Sequence, residues 1–390
     1  MTRKGVWDLQ EVRDKYLQDL WADPISLYGF GAGTDGKLGL NSNTARSSPT
    51  QVPGNNWSMV SNREGGSVGV KDDGTLWVWG GNASGSLGLN ESEPASYSSP
   101  KQVGTNTNWN FAAASGERTA AITSSGEMYV WGRNQNGNFA TNVQEDFQSS
   151  PVQVPGTTWA ECAFGGGNQG IFRKTDGTIW ASGQNNEGQL GLNTPTYYSS
   201  PVQIGTQTNW SKIMCGGNSS WGMTDSGALF AWGESVDGSL GFNQASVKYS
   251  SPKQLPGTWS EWSVSKTNGL AVKTDGTLWS WGENVNGSLG HDNTSQYSSP
   301  KQVGTDTTWA IVETNRGNLT NDASTLAIKT DGTMWAWGTN TSGELGLNDN
   351  SNYWSPKQVG GTQWSQTRGQ LTLGLTAAFA MTKTLTPSQL

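Results

Sequence analysis

Short runs of alternating side chains carry the apolar residues of this chain. In Leu76-Trp77-Val78-Trp79-Gly80 the aromatic residues fall on one face of an extended strand and the aliphatic ones on the other, because successive strand side chains point to opposite sides. The split recurs in Tyr129 and Trp131 against Met128 and Val130, in Phe230 and Trp232 against Leu229 and Ala231, in Trp279 and Trp281 against Leu278 and Ser280, and in Trp335 and Trp337 against Met334 and Ala336. A second apolar run precedes each of these strands and Ile179-Trp180-Ala181, joined through Asp73-Gly74, Ser125-Gly126, Asp176-Gly177, Ser226-Gly227, Asp275-Gly276 or Asp331-Gly332. Such a dipeptide between two apolar runs predicts a tight antiparallel hairpin, whose turn favours positive φ. Long helical periodicity is absent after residue 22.

The hairpins recur with a period near 51 residues, marked by a Pro that closes a polar loop at Pro49, Pro100, Pro151, Pro201, Pro252, Pro300 and Pro356. A fixed period of this length means one supersecondary unit stacked on its own copies. Both faces of the hairpin strand are apolar, and only a head-to-tail stack buries both. The ends of the chain choose a closed ring. Trp364 opens an eighth start and LGLTAAFAMT supplies the strand before the hairpin, yet no Trp-x-Trp-Gly strand follows. Leu27-Tyr28-Gly29-Phe30-Gly31 is that missing strand, with Tyr28 and Phe30 on the aromatic face. The expectation is an all-β, seven-bladed β-propeller over residues 25–390, closed by pairing of its N- and C-terminal segments, which removes the free edges an open stack would expose.

Two glycine patterns fit that ring. Gly65-Gly66, Gly116, Gly165-Gly166-Gly167 and Gly216-Gly217 precede or open the strand before the hairpin, as expected where backbones crowd around an axis. Gly-x-Leu-Gly follows the hairpins at Gly36, Gly85, Gly188, Gly238, Gly287 and Gly343, with a degenerate Gly137-Asn-Phe-Ala. It reads as a tight turn with a Leu anchor, since no following helix or Lys makes it a phosphate cradle.

Composition narrows the chemistry. Twenty-one Trp, 53 Gly and only 14% charged residues suit many short strands. The net charge of −7 with scattered Lys and Arg argues against nucleic acid, which needs concentrated positive charge. Cys162 and Cys215 occupy different places in adjacent copies and read as buried small hydrophobes. No apolar run is long enough to span a membrane. One His, His291, builds no catalytic triad, and no metal-ligand spacing occurs, so no enzymatic activity, cofactor or metal is expected.

The string KTDGTLWSWGENVNGSLG, residues 273–290, resembles the repeat of the regulator of chromosome condensation family. The resemblance covers residues 25–390 and rests on the hairpin turn, the aromatic-Gly strand, the Asn-x-x-Gly segment and the Gly-x-Leu-Gly turn. It implies a seven-bladed propeller and, by function, an exchange factor, an inhibitor or an interaction scaffold. Exchange-factor members carry a His before the hairpin strand in many blades, where this chain has Ser67, Thr119 and Ser219. That departure argues against exchange activity and chromatin binding.

Residues 7–21 predict an amphipathic helix within a leader of residues 1–24. Leu9, Val12, Tyr16 and Leu20 share a face, Asp8 and Glu11 form a cap, and Trp7 and Val12 form a staple. With Trp21 these are the candidate anchor residues. So short a helix is marginal alone and must dock, either on the propeller's underside or in a larger assembly. The leader KGVWDLQEVRDKYLQDLW is similar to those of tailed-phage structural proteins. That resemblance implies a virion protein whose leader contacts other virion proteins and whose propeller meets a host-surface glycan or protein. The alternative is a cytoplasmic protein-interaction scaffold.

The loop before each Pro supplies candidate rim residues. Tyr97, Tyr198, Tyr249, Tyr297 and Tyr353 lie three residues before it, Phe147 four before, and Tyr197 and Trp354 double the pattern. Repeated features usually serve the repeat by packing on a neighbour; the functional alternative is a set of platforms for stacking on sugars.

Overall fold

Each Asp-Gly or Ser-Gly dipeptide turns a hairpin, and two further strands flank it. The computed structural model describes residues 25–383, apart from 63, 92–95, 144–145, 316–322 and 362. The predicted leader helix, with Trp7, Leu9, Val12, Tyr16, Leu20 and Trp21, lies outside the described residues.

Blade 1 runs Trp57–Asn62, Gly66–Lys71, Leu76–Gly80 and Tyr97–Gln102, the same order in sequence and in space. Blades 2 to 6 repeat this order from the first strands Trp109–Ser115, Trp159–Phe164, Trp210–Cys215, Trp259–Val264 and Trp309–Thr314. These first strands pack on one another from blade to blade, so they surround the axis and the fourth strands lie outermost. Blade 7 is assembled from both ends: Leu371–Leu373, Ala377–Met381, Leu27–Gly31 and Arg46–Gln51. Its closing register is unbroken, from Leu27 opposite Met381 to Gly31 opposite Ala377.

Neighbouring blades are joined by a bond the repeat writes five times. The second Trp of the hairpin strand donates its indole N–H to a carbonyl in the Gly-x-Leu-Gly turn of the preceding blade. The pairs are Trp79 to Lys37 at 3.0 Å, Trp131 to Ser86 at 3.0 Å, Trp232 to Gln189 at 3.0 Å, Trp281 to Ser239 at 2.8 Å and Trp337 to Ser288 at 2.8 Å. Blade 3 has no Trp there, and the Ser182 hydroxyl donates to Asn138 instead, at 3.0 Å. The first Gly of each turn is required by close approach: a Cβ on Gly36, whose φ is +73°, would lie 2.3 Å from the Ser98 Cα of the next blade's outer strand.

Two expectations shift. Each Pro lies within the fourth strand rather than in a loop, as Pro100 does in Tyr97–Gln102. The pairing slips there, with Val78 opposite Lys101 and Gly80 opposite Tyr97; an outermost strand has a free edge and tolerates a residue without an N–H. Glycine crowding is also not chiefly at the axis. It sits between the second and third strands, where a Cβ on Gly132 would meet the Glu117 carbonyl oxygen at 2.1 Å.

The hairpins come in two chemistries. In blades 1, 3, 5 and 6 the turn Asp accepts from the Thr two residues on, and that Thr hydroxyl accepts the first Trp's indole N–H; in blade 5 the Asp275–Thr277 hydroxyl bond is 2.6 Å and the Trp279–Thr277 bond 2.8 Å. A lysine caps the same indole, Lys273 Nζ lying 3.7 Å from the Trp279 ring centre. Blades 2 and 4 change the whole set: Thr123 and Thr224 replace Lys, Ser125 and Ser226 replace Asp, and Tyr129 and Phe230 replace Trp.

The Thr hydroxyl and backbone bonds hold Asp73, Asp176, Asp275 and Asp331 below the ordinary aspartate range. A folded pKa below the unfolded one stabilises above the unfolded value, and that contribution is lost as pH falls through the folded value. The urea midpoint should therefore decline below about pH 4, and the four-fold Asp→Asn variant should lose part of that decline; an identical acid limb would refute it.

Candidate functional site

Because the repeated positions hold the ring together, the departures from the repeat mark the candidate sites. The rim tyrosines are tethered. Tyr97 donates to Glu91 at 2.7 Å, Tyr353 to Asp349 at 2.6 Å and Tyr249 to Gln244 at 3.0 Å, while Lys301 donates to the Tyr297 hydroxyl at 2.7 Å. The lysine four residues on covers the ring in four copies: Lys101 on Tyr97, Lys253 on Tyr249, Lys301 on Tyr297 and Lys357 on Tyr353. Tyr198 packs against the apolar core between blades 3 and 4.

Three other predicted rim residues are exposed: Phe147 at 58%, Trp354 at 49% and Tyr197 at 42%. Trp354 stands where the other fourth strands place Ser against the preceding blade's glycine, and it lies on Gly287. Phe147 and Tyr197 belong to one corner. Phe147 pairs with Arg133 across blade 2, and the Asn142 N–H donates to Ser199 of blade 3 at 2.8 Å. That bond brings Val143, 41% exposed, to the Tyr197–Ser199 segment.

A second departure lies on the axis. In blades 1 to 6 the residue three after the opening Trp faces the second-strand position two before the partner of that Trp, as Val60 faces Gly69 while Trp57 faces Lys71. In blade 7 Trp364 bridges Thr382 and Leu371 pairs with Ala380, seven residues later. The four extra residues form a turn closed by Gln370 N–H on Thr367, 3.1 Å, which carries Arg368 into the channel. Its guanidinium crosses to the opposite blades, donating to Ile213 at 2.8 Å, pairing with Glu161 at 3.2 Å and lying 5.0 Å from the Trp262 ring centre. Glu161 also pairs with Arg173 at 3.2 Å and accepts the Ile213 N–H at 3.2 Å. Burial works against the Arg368 charge, but Glu161, Glu261 and Glu313 outweigh it and hold its pKa above the ordinary arginine value. Beside this crossbar lies a cavity of about 550 Å³ lined by blades 1 to 4 and blade 7, with Met59, Phe111, Cys162 and Met214 on its wall. Sequence reasoning missed the insertion; its signal was the lengthened interval after Trp364.

The groups that suggest chemistry are structurally engaged. His291 lies 3.0 Å from the Ser280 hydroxyl, which donates to Leu289 at 2.8 Å and so is not activated by the ring. Burial, and then Lys301, lower the His291 pKa to about 4, leaving it neutral at pH 7. Cys162 and Cys215 form no disulfide and are buried, and burial pushes the Cys162 thiol well up. Among the described residues no group of three His, Cys, Asp or Glu could hold a metal ion, and no helix is long and apolar enough to cross a membrane.

Seven four-stranded antiparallel sheets around a common axis define a seven-bladed propeller. The regulator of chromosome condensation (RCC1) repeat matches residues 26–66, 176–221, 275–313 and 331–369, and a second description of that repeat matches 112–138. The chain thus carries RCC1-type repeats. It is 31% identical over 173 residues to the ultraviolet-B receptor UVR8 of Arabidopsis thaliana, across 43% of this chain and 39% of that protein. To the regulator of chromosome condensation of Xenopus laevis it is 28% identical over 166 residues, 42% of this chain and 39% of the relative. The match to human E3 ubiquitin-protein ligase HERC2, 26% identical, spans 42% of this chain and 4% of that protein. The matched part is thus well under half of each relative. Among solved structures, yeast RCC1 (Prp20) bound to Kap60 superposes with a TM-score of 0.78 at 18% identity, covering 94% of this chain and 90% of that one. Human WBSCR16 gives a TM-score of 0.78 at 18% identity, covering 93% and 99%. These structures share the fold.

Proposed function

We propose that the protein is a non-enzymatic interaction module that binds another protein through the corner of blades 2 and 3. The observation that carries this reading is the gathering of exposed Phe147, Val143 and Tyr197 at one blade junction, while the repeated tyrosines are tethered by hydrogen bonds or packing. Apolar and aromatic side chains concentrated on a rigid surface are what protein interfaces use as anchors. The relatives support a scaffold over a virion protein: yeast RCC1 (Prp20) is a protein seen bound to Kap60. The finer reading, a virion protein held by residues 7–21 and facing a host-surface glycan or protein, has its own test in mass spectrometry of purified particles.

A photo-crosslinking residue at Phe147, with one at Thr50 on blade 7 as control, tests the corner in cells that express the protein. A specific partner should crosslink from Phe147, and the Val143→Ser/Tyr197→Ser background should abolish it while leaving the melting temperature nearly unchanged. Equal crosslinking in that background, or from Thr50, would count against the corner.

A further inference from the structure

Arg118 opens the second strand of blade 2, opposite Gly132. The same place in blades 1, 3, 4, 5 and 6 is held by Gly66, Gln169, Ser219, Asn268 and Ser324, so a guanidinium here is peculiar to one blade. Its residue surface is 6% exposed. Nη1 donates to the Gly165 carbonyl at 3.2 Å and Nη2 to the Asn168 side-chain oxygen, both neutral acceptors, and the buried Nε has no partner. The adjacent carboxylate of Glu117 is engaged elsewhere, by Arg133 at 3.4 Å and by the Ser84 hydroxyl at 2.7 Å. Among the described residues Arg118 has no ion pair. Burial first, then the like charge of Arg133, lower its pKa to about 10 against the weaker opposing pull of Glu117 and Glu64.

A buried cation whose hydrogen bonds all go to neutral acceptors is costly, and an incoming anion that bonds it directly relieves that cost. Arg118 and Arg133 line a polar pocket of about 250 Å³, with Gln135, Asn168, Glu64 and Glu117. The two carboxylates on the wall disfavour a doubly charged phosphate, whereas a single carboxylate suits Arg118, the guanidinium of the pocket that makes no ion pair among the described residues. The pocket also adjoins the apolar corner, since Arg133 is the register partner of Phe147. We propose that this pocket receives a carboxylate from the bound peptide, set between Arg118 and Arg133, while a neighbouring apolar side chain of that peptide lies on Phe147. The proposal rests on the corner being the protein-binding surface, and it names the chemistry of the partner: an acidic residue next to an apolar one, or a C-terminal carboxylate in that setting.

The full chain labelled with ¹⁵N-arginine tests it by NMR, the Arg118 Nε–Hε signal being assigned from its loss in Arg118→Gln. Three blocked dipeptides serve as probes: acetyl-Leu-Asp-amide, its neutral isostere acetyl-Leu-Asn-amide, and acetyl-Leu-Asn with a free C-terminus. The acidic amide should shift the Arg118 and Arg133 signals saturably and the neutral amide should not; the third probe tells a side-chain from a terminal carboxylate. Loss of a charge-assisted contact should weaken binding about tenfold in Arg133→Gln, and independently in Arg118→Gln followed on the Arg133 signal. Equal shifts with the neutral amide, equal movement of Arg173 and Arg368, or unchanged affinity in both variants would overturn the site. If Arg118 titrates as expected but crosslinking from Phe147 fails, the corner falls and the carboxylate pocket stands; the reverse result sinks the pocket alone.

Discussion

Deleting residues 25–31 is expected to lower the melting temperature by roughly 10 °C or more, at a loss of about 6 kcal/mol or more. The deletion removes the third strand of blade 7, which pairs with Ala377–Met381 on one side and with Arg46–Gln51 on the other. It also takes away Leu27 and Phe30, both fully buried, and the edge-on contact of Tyr28 with Trp364 at 5.5 Å. Two large core side chains alone cost about 3 kcal/mol each when removed. Scanning calorimetry measures the loss, and hydrogen exchange localises it: amides of residues 377–381 should lose protection before those of blade 4. A shift under about 2 °C would mean that the other six blades hold the ring shut without this strand.

Replacing Glu161 by Ala is the second large effect, a destabilisation of about 3–5 kcal/mol. This carboxylate receives Arg173 from its own blade and Arg368 from across the channel, and its side chain is 10% exposed. Its loss leaves two guanidiniums facing each other on the axis. Combining Glu161→Ala with Arg368→Met should recover part of that loss, because the second change removes one stranded charge and keeps an unbranched stem. Urea unfolding of the two single variants and the double variant gives the coupling directly. Additivity within about 0.3–0.5 kcal/mol would show that the crossbar is not held by this pair.

The blades were legible because their signals are local. Asp275-Gly276 lies between two apolar runs, and each run is a strand in the register the alternation requires. Closure was legible for a different reason: the last copy lacked a strand that Leu27–Gly31 could supply. The five indole bonds between blades were not, since Trp281 and its acceptor Ser239 are separated by a full hairpin and loop, and no local rule ties them. The Arg368 crossbar was missed because Trp364 aligned with the other opening tryptophans; the lengthened interval after it signals extra residues, and the pairing of Leu371 with Ala380 places them. Arg118 escaped notice for the opposite reason. It is one polar residue at a place where blades differ freely, and its isolation appears only once its neighbours Gly165, Asn168 and Arg133 are known. Of the candidate rim, sequence alone picked out Phe147 and Tyr197 but could not separate them from the tethered tyrosines, because a tether such as Tyr353 to Asp349 depends on a loop's path.

The composition of blade 7 sets a timetable for synthesis. Leu27–Gly31 leaves the ribosome ahead of every other described strand, and its partner Ala377–Met381 leaves last. At roughly 5–20 residues per second the first strand waits on the order of 20–70 s for its mate. During that interval a segment with a fully apolar Leu27 and Phe30 has one sheet edge without its final neighbour. Blades 1 to 6 are each contiguous in sequence and can form as they emerge, so ring closure is a discrete final event, and a chain stalled before residue 377 would present an open edge for a chaperone or another nascent chain to occupy.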